Sequence, residues 1–311
     1  MNVVNFLKFV GEKRPEYVFE KQIIKMKVNG TEYPFEGKGT IDDEGKKDGQ
    51  FESYSYRQEP GVAKWMDKKN ALETGEGIYL QGVYNYKDGK RDGKQTTFYE
   101  NGQIETEYFY LRGQKSGEEK VYYKNGQLKN IITYDNGIMD GPEIGYGENG
   151  KIVNKSNWYR GNKHGLELVY TDDGKRVIKR VNWDMNMISG PYEEYWPNGN
   201  PKLIAHYKDN NHQGDMKQYY KNGTLKIIHK YDSRNNIKYK CEYHPSGEKD
   251  YEQFNGANHI YFKVYYENSN DVKQQYSKDK KSLALDGVYI EYNRDGSVKQ
   301  KFEYLDNRVV K

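Results

Sequence analysis

The chain has one cysteine, Cys241, among 311 residues, so no internal disulfide can staple it. That usage fits a reducing compartment. No stretch approaches the ~18–20 consecutive apolar residues of a membrane-spanning helix. The start, MNVVNFLKFVGEKRPEY, has a short apolar patch broken by Lys8 and no basic leader before it, which makes a poor secretory signal. A cytoplasmic location is therefore expected, although a leader removed earlier would leave the same sequence. Charge of one sign is also lacking: 50 Lys and Arg stand against 46 Asp and Glu, interspersed, for a net charge of +4. Nothing in that balance points to nucleic acid as a partner. Apolar residues are scarce at 34%, below the usual ~45–50%, and 32 tyrosines supply much of that share. Tyrosine joins an aromatic body to a polar tip, so a chain rich in it can be ordered while many side chains stay partly wet.

What the sequence does have is a repeat. Units begin at Gly49, Gly93, Gly117, Gly141, Gly165, Gly190, Gly214, Lys238, Tyr261 and Gly287, mostly 24 residues apart. A period of that length marks a repeat array. The sixth residue of every unit is aromatic: Tyr54, Phe98, Tyr122, Tyr146, Tyr170, Tyr195, Tyr219, Tyr243, Tyr266 and Tyr292. The tenth is glycine wherever the unit is intact, usually after Asn or Asp, as in Asn125-Gly126. Near the eighteenth comes a second aromatic, among them Tyr110, Tyr134, Trp158, Trp183, Tyr207, Tyr231 and Tyr304. Two short runs around an Asn-Gly pair read as a β-hairpin closed by a two-residue turn. The expected fold is all-β: an elongated, twisted, single-layer antiparallel meander of hairpin repeats with a short N-terminal cap. Two strands per unit advance it by ~10 Å, so ten units would extend over ~90–100 Å. With no second sheet, cross-strand pairs and contacts between repeats must hold it together. The sixth and eighteenth aromatics are expected to lie opposite each other, each pair adding ~0.5–1.5 kcal/mol.

Departures from the period set the expected boundaries. Residues 1–36 form a cap segment and hairpin, with helical spacing from Val3 to Val10 stopped by Pro15 and alternation at Ile24, Met26 and Val28. An interrupted first repeat covers 37–92, with an insert near 55–82 in which Ala63 to Leu72 suits a helical turn or two. Regular repeats cover 93–237. Degenerate repeats and a cap cover 238–311, since the units at Lys238 and Tyr261 lack the leading glycine and the segment Gln274 to Asp286 is longer and charged. Atypical end units are expected where a sheet is protected from edge-to-edge pairing.

The pattern G-x-x-x-x-Y-Y-x-N-G-x-L-K, in Gly117 to Lys129 and Gly214 to Lys226, with its variant from Gly190 to Gly199, resembles the bacterial variant of MORN repeats. These repeats occur in YwqK-type antitoxin components. The resemblance covers about Gly37 to Lys311 and implies an elongated stack of hairpins that works as an interaction scaffold. It also implies a partner toxin inhibited by binding, or in other arrays a membrane lipid.

Residues that could carry chemistry are sparse. His164, His206, His212, His229, His244 and His259 make no metal-ligand spacing, and Cys241 has no cysteine companion. Asp42-Asp43-Glu44-Gly45 and Asp172-Asp173-Gly174 lack the alternating oxygens and distal Glu of a calcium loop and read as turns. Neighbouring carboxylates such as Glu118-Glu119 and Glu193-Glu194 point to opposite faces of a strand, so they cannot work as one acid–base pair. No enzyme, cofactor or metal is expected. The candidate partner-binding residues are Trp158, Tyr159, Trp183, Tyr195 and Trp196, because Trp and Tyr are favoured at hot spots; the competing reading is that they fill the repeat ladder. The expected function is a non-enzymatic scaffold for an unidentified protein partner, with antitoxin-like neutralisation as its specific form. The alternative is a peripheral module for anionic lipid or glycan.

Overall fold

The computed structural model describes residues 23–28, 31–41, 44, 46–56 and 78–311. The helical segment expected before Pro15 and the one expected over Ala63 to Leu72 lie outside the described residues. Among the described residues every regular element is a β-strand. The chain divides into two compact units, Met1–Asn162 and Lys163–Lys311.

Each unit is an open antiparallel meander in which a strand pairs with the strands before and after it. In the first, Ile23–Val28 pairs with Thr31–Ile41, as the alternation there predicts. The meander then runs on through Lys47–Tyr56, Ile78–Lys87, Lys90–Phe98 and Ile104–Leu111. The strands that flank the insert are direct neighbours, since Tyr54, Ser55 and Tyr56 pair with Leu80, Tyr79 and Ile78. In the second unit the strands from Gly165–Tyr170 to Arg308–Val309 follow one another in the same way.

Two details differ from expectation. The Asn125-Gly126 pair is not a two-residue turn. Tyr123 and Gln127 close the hairpin by a 2.8 Å bond, Gly126 N–H donates to the Tyr123 carbonyl at 2.8 Å, and the Asn125 side chain accepts from Gln127 N–H at 3.0 Å. Only Gly126 takes a positive φ there, +82°. This is a three-residue loop ending in a left-handed glycine. The two-residue turns sit at the other connection, between repeats, where both central residues are left-handed: Asn136 (+48°) and Gly137 (+83°), or Asp209 (+51°) and Asn210 (+65°). Second, the sixth and eighteenth aromatics do not face each other. Tyr134 lies across from the leading Gly117, whereas Tyr122 lies across from Leu128. They occupy opposite ends of one hairpin, because the sixth residue is next to the loop and the eighteenth is a full strand away.

The residue after the sixth aromatic joins neighbouring repeats. Tyr99 O–H donates to the Tyr122 carbonyl at 2.7 Å and Tyr123 O–H to that of Tyr146 at 2.8 Å. In the second unit Trp196 Nε1 donates to Tyr219 at 3.2 Å and Tyr220 O–H to Tyr243 at 2.8 Å. Turn asparagines add a parallel row, with Asn101 Nδ2 on Lys124 at 2.9 Å and Asn222 Nδ2 on Pro245 at 3.0 Å. The buried residues are mostly small or polar, including Ser156 and Gln95 in the first unit and Val181, Ala205 and Cys241 in the second, with Met216 and Tyr265 as larger members.

Candidate functional site

Register separates the faces of the first unit. Glu107, Lys120, Ile131, Ile144 and Lys155 are paired in succession across five strands and share one face, while Ile132, Glu143 and Ser156 share the other. Side chains alternate along each strand, so Tyr108, Tyr110, Tyr134 and Trp158 fall on the second face.

That second face is a ladder of rings and cations. Arg91 lies over Tyr84 and Tyr110 at 4.9 and 5.6 Å, and Lys115 over Tyr108 and Tyr134 at 4.8 and 4.4 Å. Each cation comes two residues before a leading glycine and is held between rings of successive strands. Contacts of this kind are worth ~0.5–2 kcal/mol each. Lys115 also pairs with Glu119 at 2.5 Å. The next carboxylate, Glu143, accepts from Ser156 Oγ at 2.9 Å, Trp158 Nε1 at 2.7 Å and Asn130 Nδ2 at 3.1 Å. Burial pushes the Tyr108 phenol up to about 12, and burial together with the Glu119 charge does the same for Tyr134. The charged groups and indole of the ladder are thus paired with one another, while the buried Gln95 Oε1 and Asn130 Oδ1 on the same face find no hydrogen-bond partner among the described residues. The first face differs: Phe109 and Leu111 are 48% and 58% exposed, Ile138 49% and Tyr159 43%. Ile138 joins this face by pairing with Asp135, and Tyr159 by its alternation with Lys155.

The second unit repeats the ladder with a substitution. Lys163 lies 5.3 Å from the Trp183 ring and 2.7 Å from Glu167, which also accepts from Trp183 Nε1 at 2.8 Å. Farther along, His212 takes the position of the cation. Its ring is 4.4 Å from both Tyr207 and Tyr231, nearly parallel to the latter at 9°. His229 stands edge-on to Tyr231 at 6.1 Å. His212 Nδ1 and His229 Nε2 are buried and find no hydrogen-bond partner among the described residues. Desolvation lowers the pKa of both rings, reinforced at His229 by Lys240, so both favour the neutral form.

The five aromatic candidates therefore occupy different settings. Trp158 and Trp183 are ladder rings whose indoles donate to Glu143 and Glu167. Tyr159, next to Trp158, points to the opposite face. Trp196 is a joining residue, and Tyr195 O–H donates to Glu193 at 2.8 Å. Trp183 is paired with Ile188. Tyr195 lies seven residues farther along that strand, a distance of ~23 Å at ~3.3 Å per residue. Trp183 therefore does not sit beside Tyr195 and Trp196.

Among the histidines, His164 approaches Asp184 at 3.3 Å, His244 approaches Asp250 at 3.7 Å, and His259 Nε2 meets Asp286 at 2.9 Å. Cys241 is buried, and burial raises its thiol pKa. Nearby Glu252 is charged in spite of burial: Lys249, Tyr265 and Tyr239 all donate to it at 2.7 Å and hold its pKa low. Among the described residues no three of His, Cys, Asp and Glu are grouped to hold a metal ion, and no helix is long and apolar enough to cross a membrane. One recess of about 430 Å³ opens in the second unit beside Phe254, Tyr261 and Val288, which are 42%, 50% and 43% exposed. Sequence reasoning did not single these residues out. The available signal was the missing leading glycine of that unit.

Five stretches, residues 91–111, 115–136, 189–209, 213–233 and 285–306, match the MORN repeat variant family. Comparison with curated proteins gives no match. A solved structure of the Photorhabdus luminescens Tc holotoxin pore matches over 89% of this chain and 16% of the other, at 13% identity and a TM-score of 0.19, too low to inform the fold. Five recurrences of one repeat model, each on a hairpin built in the same way, support a MORN-repeat protein.

Proposed function

We propose that the chain is a non-catalytic repeat scaffold that docks a protein partner on the face of its first unit carrying Phe109, Leu111, Ile138 and Tyr159. The carrying observation is the contrast between faces. The ladder side holds its rings against cations and carboxylates, while the other side, where Lys94 also pairs with Glu107, leaves four large apolar side chains 43–58% exposed. Exposed apolar side chains gathered on one face suit a docking surface. The MORN matches support the scaffold role. Antitoxin-like neutralisation, in which the partner is a toxin held inactive by this surface, is the specific form of the proposal.

The test is affinity purification of the tagged full chain from native lysate at gentle salt, beside the double variant Phe109→Ser/Tyr159→Ser. A stoichiometric protein partner is expected with the parent chain and its loss with the variant. Absence of any such partner, together with pelleting on acidic but not neutral vesicles that weakens with salt, would replace the protein partner by anionic lipid.

A further inference from the structure

The second unit departs most from its repeat between Phe254 and Val288, and the recess lies there. The strand His259–Tyr265 is paired without a break to Lys249–Asn255, so the bulge that a leading glycine makes in intact units is missing. His259, Tyr261 and Lys263 therefore stand in line on one face of that strand. Register sets Phe254 and Ser277 on either side of Tyr261, and Gln275 beside Lys263. This gives a floor with one aromatic row and one polar row, about 7 Å apart at two residues per step.

The wall is supplied by residues 286–288. Gly287, at φ +98°, passes so close to Ser277 that a Cβ would come within 2.6 Å of its Oγ. Ser277 Oγ donates to the Asp286 carbonyl, and the Asp286 carboxylate takes the His259 Nε2 contact. These bonds exclude a serine nucleophile. The Ser277 hydroxyl is turned to a main-chain oxygen and the His259 nitrogen to Asp286, so no base faces Ser277.

We infer that this recess binds a neutral oligosaccharide. Tyr261 and Phe254 offer exposed ring surface for the C–H face of a sugar, and Val288 adds an apolar edge. Around them Lys263, Gln275 and Asp286 provide donors and acceptors for hydroxyl groups. One lysine stands against one carboxylate that is shared with His259, so the rim favours neither an anion nor a cation. An open recess of about 430 Å³ with an aromatic floor and a few convergent polar groups lies within the range of small-ligand sites. The proposal is independent of the protein-docking face, since every residue it uses lies in the second unit.

The test is calorimetric titration of the full chain with cellohexaose, chitohexaose and mannohexaose, with backbone amide shifts mapped for whichever binds. Binding of at least one is expected, with shifts at Phe254, Tyr261, Gln275 and Val288. Affinity should fall at least tenfold in both Tyr261→Ala and Asp286→Asn while the melting temperature of Tyr261→Ala stays near that of the parent, because Tyr261 is half exposed. Phe109→Ser should bind the sugar as the parent does. No binding by any of the three sugars, shifts confined to other residues, or full affinity in Tyr261→Ala would overturn the proposal.

Discussion

Single side chains carry an uneven load in this fold. Lys115 is the clearest case, because one ammonium serves the Tyr108 and Tyr134 rings and the Glu119 carboxylate. Lys115→Met keeps the apolar stem and removes the charge, and should cost about 1–2 kcal/mol, read from denaturant unfolding. An unchanged midpoint would show that the ring contacts contribute nothing. His212 fills the same role without a charge. Its pKa and that of His229 are lowered in the folded state from the ordinary 6.5. The unfolded chain then binds more protons, so their contribution to stability is complete above about pH 6.5 and is lost as pH falls through the lower folded values. Thermal melts from pH 8 to pH 5 should show this decline, and His212→Phe, which keeps the stack, should flatten it. A decline equally steep in His212→Phe would place the pH dependence elsewhere.

At the scale of the hairpin, stability is set by turns and by bonds to the next repeat. Gly137 lies at φ +83° in a two-residue turn, so Gly137→Ala should cost ~1 kcal/mol through backbone strain. Tyr195 O–H holds Glu193, and the next residue, Trp196, donates to the Tyr219 carbonyl of the following repeat. Tyr195→Ala should therefore weaken amide-exchange protection across residues 190–237 more than at the chain ends, as expected when repeats couple to their neighbours. Uniform loss along the chain would contradict that coupling. The hairpins themselves were legible from the sequence, since glycine and aromatic spacing fixes where strands begin and end. Which connection holds the two-residue turn was not. Asn-Gly occurs at 125–126 and again at 136–137, and the pair alone does not say whether the turn closes over two residues or three. The expected facing of Tyr122 and Tyr134 failed for a related reason: shared aromatic character says nothing about distance from the loop.

At the scale of the whole molecule, the all-strand repeat of the described residues could be read in advance from composition and period. The face that carries exposed apolar groups could not. It depends on register through successive strands, including bulges that shift the alternation, and Tyr159 and Trp158 differ in face only because they are adjacent in one strand. The recess near Tyr261 was signalled only indirectly, by the missing glycine of its unit. In the proposed function a protein partner docks on the strand face of the first unit opposite its ladder. Hydrogen exchange on the purified complex tests it most directly. Protection should rise in residues 104–111 and 152–159 relative to the free chain, and Phe109→Ser/Tyr159→Ser should abolish both the complex and the protection. A stoichiometric complex that leaves those two strands unprotected, or one that survives the double variant, would contradict it.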